Sequence, residues 1–301
     1  MIEYIVADYL NFQRAISEKD AKDIVNGYKS HNEKLGTIAL NMNLLTEEQV
    51  DEIHDKQKIV DKKFGEIAVD SGMLTEEQLN DIICMQRKAM DPFEFAFECG
   101  IINMDMANDL RNKFKEHYKL TDEEFSGVMA DDVTMISSMM VDTRDFYTNY
   151  YYNIAIRFLV RFLGLKIGLS KTTPEKTHEA ERIITHKIRT MRRNFIIGFS
   201  GSREAMHALS ESLSDFDSAE FKNDVYARLK NFVNCITCVF ECGIMRESPI
   251  RSISCVKLYK SAELIFNEDG FVLPANICGY PINIIVASGA EEDFTKVVHN
   301  V

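Results

Sequence analysis

Three cysteines, Cys235, Cys238 and Cys242, stand at i, i+3 and i+7, a spacing that lines one face of a helix. Thiolates so placed have the form of a metal or iron–sulfur ligand set. No fourth ligand and no Gly/Pro-rich loop accompanies them. A free cysteine commonly packs as a small hydrophobe, so they read as packing residues, and no metal is expected. Glu175 with His178, and Glu204 with His207, repeat a Glu-x-x-His spacing that serves di-iron sites. Such a site needs a four-helix bundle, and the alternating, strand-like residues around these pairs argue against one. There is no Walker loop, no Gly-x-Gly-x-x-Gly and no Gly-x-Ser-x-Gly. No cofactor is expected.

A different set of candidates comes from an internal repeat. KLGTIALNMNLLTEEQVDEIHDKQ, Lys34 to Gln57, recurs as KFGEIAVDSGMLTEEQLNDIICMQ, Lys63 to Gln86. The period is 29, with 24 residues in each copy and a five-residue spacer. Gly36 matches Gly65, Thr46-Glu-Glu-Gln49 matches Thr75-Glu-Glu-Gln78, and Gln57 matches Gln86. Fainter copies flank these. Ser17-Glu18 and Ile24 precede Thr46-Glu47 and Ile53 by 29, and Gly100 to Leu110 resembles Gly72 to Ile82 at a shift of 28, with Phe93 in place of the motif glycine. Four units are read, the outer two degenerate.

The elements that carry these residues follow from local chemistry. Thr46 with Gln49, and Thr75 with Gln78, are capping-box pairs that open helices bearing Val50, Ile53 and Gln57, or Leu79, Ile82 and Gln86. A shorter apolar helix precedes each. Every unit is thus a short helix, a turn and a capped helix, and a stack of such units is a scaffold first.

The 24–5–24 layout, with basic-x-Gly opening and Gln closing each copy, resembles the MshEN domain at the N-terminus of type II secretion and type IV pilus ATPases. The resemblance implies cyclic di-GMP as ligand. Lys34, Leu35, Gly36 and Gln57 of the first copy, and Lys63, Phe64, Gly65 and Gln86 of the second, would hold it. The glycines would admit a phosphate to the backbone, and Leu35, Leu40, Phe64 and Val69 would cover the base faces. The family opens its motifs with Arg, where this chain has Lys34 and Lys63, and Asn43 replaces the second glycine of the first motif. Lysine keeps the charge without the planar fork that pairs with guanine, so weaker binding is implied.

Composition sets the frame. With 35 Lys plus Arg against 47 Asp plus Glu, the formal charge of -12 over 301 residues argues against a protein that grips nucleic acid or inserts in an anionic membrane. The start, MIEYIVADYL, has no basic-apolar leader, and seven cysteines fit a reducing compartment, so a cytoplasmic location is expected. Asp122 to Asp132 reads as an acidic linker. After it the pattern changes to an apolar helix ending near Gly164, a strand at 165–169, and a hairpin turning at Arg192-Arg-Asn194. A helix capped by Ser202 follows, then a long helix over about 218–242, and strands at 252–259, 263–266 and 282–287. The fold class is α+β, with an all-α tandem-repeat domain over 1–120 and an α+β domain over 135–301.

The order of this second half resembles the CheC/CheX/FliY chemotaxis phosphatases, CheX most of all. FIIGFSGSREAMHALSE, DVYARLKNFVNCITC and Gly279-Tyr-Pro-Ile-Asn-Ile-Ile-Val carry the likeness. The resemblance implies a CheY-like receiver as partner. In that family Glu-x-x-Asn on the long helix engages the phosphorylated aspartate; here the pair falls on Asn231 and Asn234. With the acid replaced, a regulatory docking role is expected ahead of phosphatase activity, and a scaffold without a working site is the further alternative. The resemblance also implies a homodimer through the strands at 252–259 and 282–287, read as sheet edges.

Overall fold

The structure, a computed structural model, describes residues 1–31, 34–60, 62–87, 90–141, 143–163, 167–216, 224–245, 249–289 and 295–299. The chain divides into two compact units, Ile2–Asp132 and 133–301. The first is helical and the second combines helices with an antiparallel sheet, an α+β fold class.

In the helical unit α1 (Ile2–Phe12) and α2 (Glu18–His31), α3 (Leu35–Asn41) and α4 (Glu47–Ile59), α5 (Phe64–Asp70) and α6 (Glu76–Arg87), and α7 (Pro92–Glu98) and α8 (Met104–Tyr118) are the four repeats. One turn geometry recurs in all of them. Arg14, Asn43, Gly72 and Gly100 each hold a positive φ, between 54° and 69°. The N–H of the following residue then returns to the short helix in every copy: Ala15 to the Leu10 carbonyl, Leu44 to Ala39, Met73 to Ala68 and Ile101 to Ala96. Capping follows the same period. Ser17 bonds with Asp20, Thr46 with Gln49, Thr75 with Gln78, and Asn103 accepts from the Met106 N–H.

The central repeats interlock. Helix α3 packs on α6 and α4 on α5, around Ile38, Ala39, Ile53, Ile67, Ala68 and Ile82. The outer repeats pair with each other, α7 lying against α1 and α2. Phe93, the departure from the motif glycine, is wholly buried and meets Phe114 at 5.6 Å between ring centroids. The segment read as an acidic linker is instead α9 (Asp122–Met129), opened by a Thr121–Glu124 capping box and packed through Val128, so the helical unit extends past residue 120.

The second unit opens with α10 (Val133–Met140) and α11 (Phe146–Leu163), then β1 (Ile167–Leu169), β2 (Thr173–Thr190) and β3 (Asn194–Gly201). Helix α12 (Arg203–Ser212), capped by Ser202, and a 3-10 turn at Ser214–Phe216 lead to α13 (Ala227–Ile244). Strands β4 (Ile250–Ile253), β5 (Lys257–Ile277), β6 (Tyr280–Gly289) and β7 (Thr295–His299) complete it. Pairing runs β2–β3–β6–β5 and returns from β5 to β2, closing a four-strand circuit. One face of the circuit gathers Ile183, Ile196, Leu264, Phe266, Ile285 and Ala287. The other lies under the helices, with Phe195 against Tyr147 and Phe240, and Phe199 against Phe232.

Two expectations are corrected here. The strand read at 252–259 is divided between the end of β4, which stops at Ile253, and the start of β5, which runs on from Lys257 through 263–266 to Ile277. Residues 282–287 lie in β6, which is hydrogen-bonded on both sides, to β5 and to β3. It has no free edge there for a second copy to pair with.

Candidate functional site

The residues of the repeated motif lie on the interlocked helices of the two central repeats. Lys34 and Lys63 are the N-cap residues of α3 and α5, with the same backbone geometry, φ -71° and ψ near 155°. Both side chains are exposed, and Leu35 and Phe64 beside them are half-buried against the shared core. The end of α4 reaches the start of α5. Gln57 Nε2 donates to the Lys62 carbonyl at 3.4 Å, His54 lies 5.4 Å from the Phe64 ring, and His54 Nδ1 stands 3.3 Å from Gln57 Oε1. Gln86 lies on α6, which packs on the helix that Lys34 opens.

Packing accounts for both glycines. A Cβ on Gly36 would stand 3.2 Å from Val50 and 3.3 Å from the Phe64 ring, and one on Gly65 would stand 2.5 Å from Leu79. Two acids attend the second motif: Glu66 accepts from the Lys63 N–H at 2.8 Å, and Asp132 pairs with Lys63 Nζ at 3.0 Å. A phosphate arriving at α5 therefore meets a carboxylate on its first turn.

On α13 the two asparagines part company. Asn231 is half-buried, and its Nδ2 donates to the Phe216 carbonyl at 3.0 Å, holding the 3-10 turn onto the helix. Asn234, one turn on, is exposed. Cys238 and Cys242 continue its face toward solvent and Cys235 is half-buried, so the expectation that all three thiols pack inside is corrected. Burial, then Cys242 and Glu241 nearby, push the Cys238 thiol up, and burial raises that of Cys235, which keeps both protonated. Among the described residues no group of three or more His, Cys, Asp or Glu side chains is placed to hold a metal.

The Glu175–His178 spacing turns out to sit on a strand. His178 Nδ1 meets Glu175 Oε2 at 2.8 Å, and its Nε2 meets Ser200 Oγ at 2.7 Å. Carboxylate, imidazole and hydroxyl in that order would activate a serine in an open cleft. Ser200, however, is completely buried, and its backbone runs in the ladder between Ile183 and Asn283. No substrate reaches it, and the array pins β2 to β3. Sequence reasoning missed Ser200 because it lies 22 positions from His178 and only the hairpin register brings it near.

Two buried titratable groups lie on elements that pack together, His186 on β2 and Glu241 on α13. His186 bridges Thr237 of α13, at 3.0 Å, and the Ser254 carbonyl, at 2.6 Å, and burial lowers its pKa. Glu241 is buried with Oε1 unpartnered, and burial raises its pKa. The signs oppose each other. Folding with a depressed His186 stabilises the protein above the unfolded pKa near 6.5, and this is lost as pH falls. Folding with a raised Glu241 is favoured in acid and loses ground as pH rises through its folded pKa. Glu241→Gln should therefore melt higher than the parent at pH 7 and fall more steeply on acidification to about pH 5, since the Glu241 slope that opposes that of His186 is gone. Thermal denaturation across that range checks it, and parallel curves would contradict the assignment.

No family model matches the chain, and no curated protein matches it. Among the described residues no helix is long and apolar enough to cross a membrane. Solved structures align with 48% of the chain, its C-terminal half. The chemotaxis protein CheX from Desulfovibrio desulfuricans aligns at 7% identity over 99% of its own length, with a TM-score of 0.40. A chemotactic CheC-like protein from Shewanella oneidensis MR-1 aligns at 6% identity over 97% of its length, with a TM-score of 0.39. The CheX–CheY–BeF3–Mg complex from Borrelia burgdorferi aligns at 14% identity over 99% of the matched chain, with a TM-score of 0.34. The likeness of this half to CheX and CheC chemotaxis proteins is one of backbone shape at low identity.

Proposed function

We propose that this is a cytoplasmic regulatory protein of the chemotaxis type, whose α+β unit docks a CheY-like receiver through the solvent face of α13. The observation that carries the reading is the split between Asn234, exposed, and Asn231, turned inward onto Phe216. In the CheC/CheX/FliY pattern that the sequence resembles, position 231 carries the acid that anchors the receiver. Here that position serves the fold: a glutamate would set an acceptor against the Phe216 carbonyl. Docking is kept and phosphatase chemistry is not.

Calorimetric titration of a beryllofluoride-loaded receiver into the full chain should show saturable binding in the micromolar range, weakened at least about tenfold by Asn234→Arg. The lifetime of the receiver's own phosphate should be unchanged. No binding at about 100 µM receiver would remove the docking reading. Accelerated dephosphorylation, abolished by Asn234→Ala, would establish a phosphatase instead.

For the helical unit the reading is a sensor of cyclic di-GMP at the interlock, supported by the convergence of Gln57, Phe64 and Gly36 there. Glu66 and the Asp132–Lys63 pair hold its affinity down. Binding is expected in the micromolar range, tightened by Lys34→Arg with Lys63→Arg, since a planar fork on guanine contributes about 1–3 kcal/mol. Calorimetry that detects neither parent nor double-variant binding would leave this unit as a protein-binding scaffold.

A further inference from the structure

The charge of the chain is unevenly divided. Residues 2–132 carry 15 Lys plus Arg against 28 Asp plus Glu, a formal charge of -13, while residues 133–301 carry 20 against 19, or +1. The excess negative charge belongs wholly to the helical unit.

Within the α+β unit, one end is cationic and apolar together. The start of α11 and the end of α13 meet there: Phe146 stacks on Tyr150 at 6.1 Å, and the Tyr150 hydroxyl fills the space beside Gly243. The β2–β3 turn joins them, through Tyr147 on Phe195 and Arg193 on Asp145 at 2.5 Å. Strand β4 borders the turn, the Met191 N–H donating to the Pro249 carbonyl. Phe146, Met191 and Met245 are 64%, 56% and 53% exposed at this end, and Arg144, Arg192 and Arg251 are exposed around them. Among the described residues, Asp145 beside Phe146 is engaged by Arg193. An apolar centre rimmed by arginines has the composition of an interface core and rim.

The complementary surface is on the same chain. Helix α6 presents Glu77, Asp81 and Met85 to solvent at i, i+4 and i+8, an acidic ridge ending in an apolar side chain 52% exposed. We infer that the arginine-rimmed end of one molecule takes the α6 ridge of a second copy. Acids meet Arg144, Arg192 and Arg251, and Met85 meets the Phe146–Met191–Met245 centre. The two surfaces differ, so the contact is head-to-tail, and it builds a ring or an open chain of molecules. Its strength comes from opposite charge in exposed positions and is therefore salt-dependent.

The full chain at about 20–100 µM should associate in low salt and return to monomer in about 0.5 M salt, by sedimentation velocity. Arg144→Glu with Arg192→Glu and Arg251→Glu should be monomeric, and so should Glu77→Lys with Asp81→Lys, each with unchanged circular dichroism. Mixing the two variants should restore association at least about tenfold over either alone, because each then offers the charge the other lacks. A parent that stays monomeric in low salt overturns the inference. So does association that survives the arginine reversal, which marks a different interface, and so does a mixture that stays monomeric when the parent associates.

Discussion

Gly198→Ala is expected to unfold the α+β unit at ordinary temperatures. Gly198 sits in β3 opposite Thr185, where β2 pairs with β3 and β5 at once. A Cβ there would lie 1.9 Å from the Ile184 carbonyl oxygen and 2.9 Å from the Thr185 Cα. Both are backbone atoms in a paired strand, so no side chain can swing away to relieve the overlap. Overpacking ordinarily costs about 1–3 kcal/mol. A clash with fixed backbone belongs at or beyond the upper end, a large share of the roughly 5–15 kcal/mol that holds a domain folded. Loss of near-UV dichroism from the tyrosine-rich unit, with the helical signal of the repeats retained, is the result to look for. A cooperative native transition within about 2 °C of the parent would contradict this placement of β2 over β3.

Ile53→Ala should destabilise both central repeats together, by about 2–5 kcal/mol. Ile53 is fully buried on α4, yet the core it fills is shared with Ile67, Ala68 and Ile82 of the next repeat. Because α3 rests on α6 and α4 on α5, neither repeat has a core of its own. The variant's helical unit should melt earlier in a single step. Ile59→Ala, at a residue 85% exposed on the same helix, should move the transition by no more than about 0.5 kcal/mol. Two resolved helical transitions in the Ile53 variant would show that the repeats fold separately.

The helical unit was legible because its signals are local. Capping pairs and the 29-residue period place each helix within its own few turns, and even Arg14 and Asn43 hold the turn that glycine fills at 72 and 100. Thr121-Asp-Glu-Glu124 carried the same capping signal, and its run of acids made α9 look like a linker. The sheet was less legible. The first half of β2 alternates charged residues with few apolar ones, since much of it faces solvent, and Asn267-Glu-Asp-Gly270 has turn chemistry inside β5. Which strand sits at an edge depends on pairings between residues far apart in the sequence. At the candidate site, Asn234 could be placed on an exposed face from its spacing. The inward turn of Asn231 could not, because its partner is a carbonyl 15 residues away.

The closed strand circuit also fixes an order in time. Thr173 pairs with Val272, and Thr185, already opposite Gly198 on one side, takes its second partner at Lys257, so β2 is completed on the ribosome only after most of the remaining chain has emerged. The repeats, with contacts mainly between neighbouring helices, need no such wait. During synthesis the acidic half is a finished object while β2 and β3 form an incomplete hairpin carrying Ile183, Ile196 and Phe199. A nascent chain with an apolar, half-paired sheet is open to mispairing with its neighbours. A charged, already folded leading half gives each such intermediate a soluble carrier until β5 and β6 close the circuit.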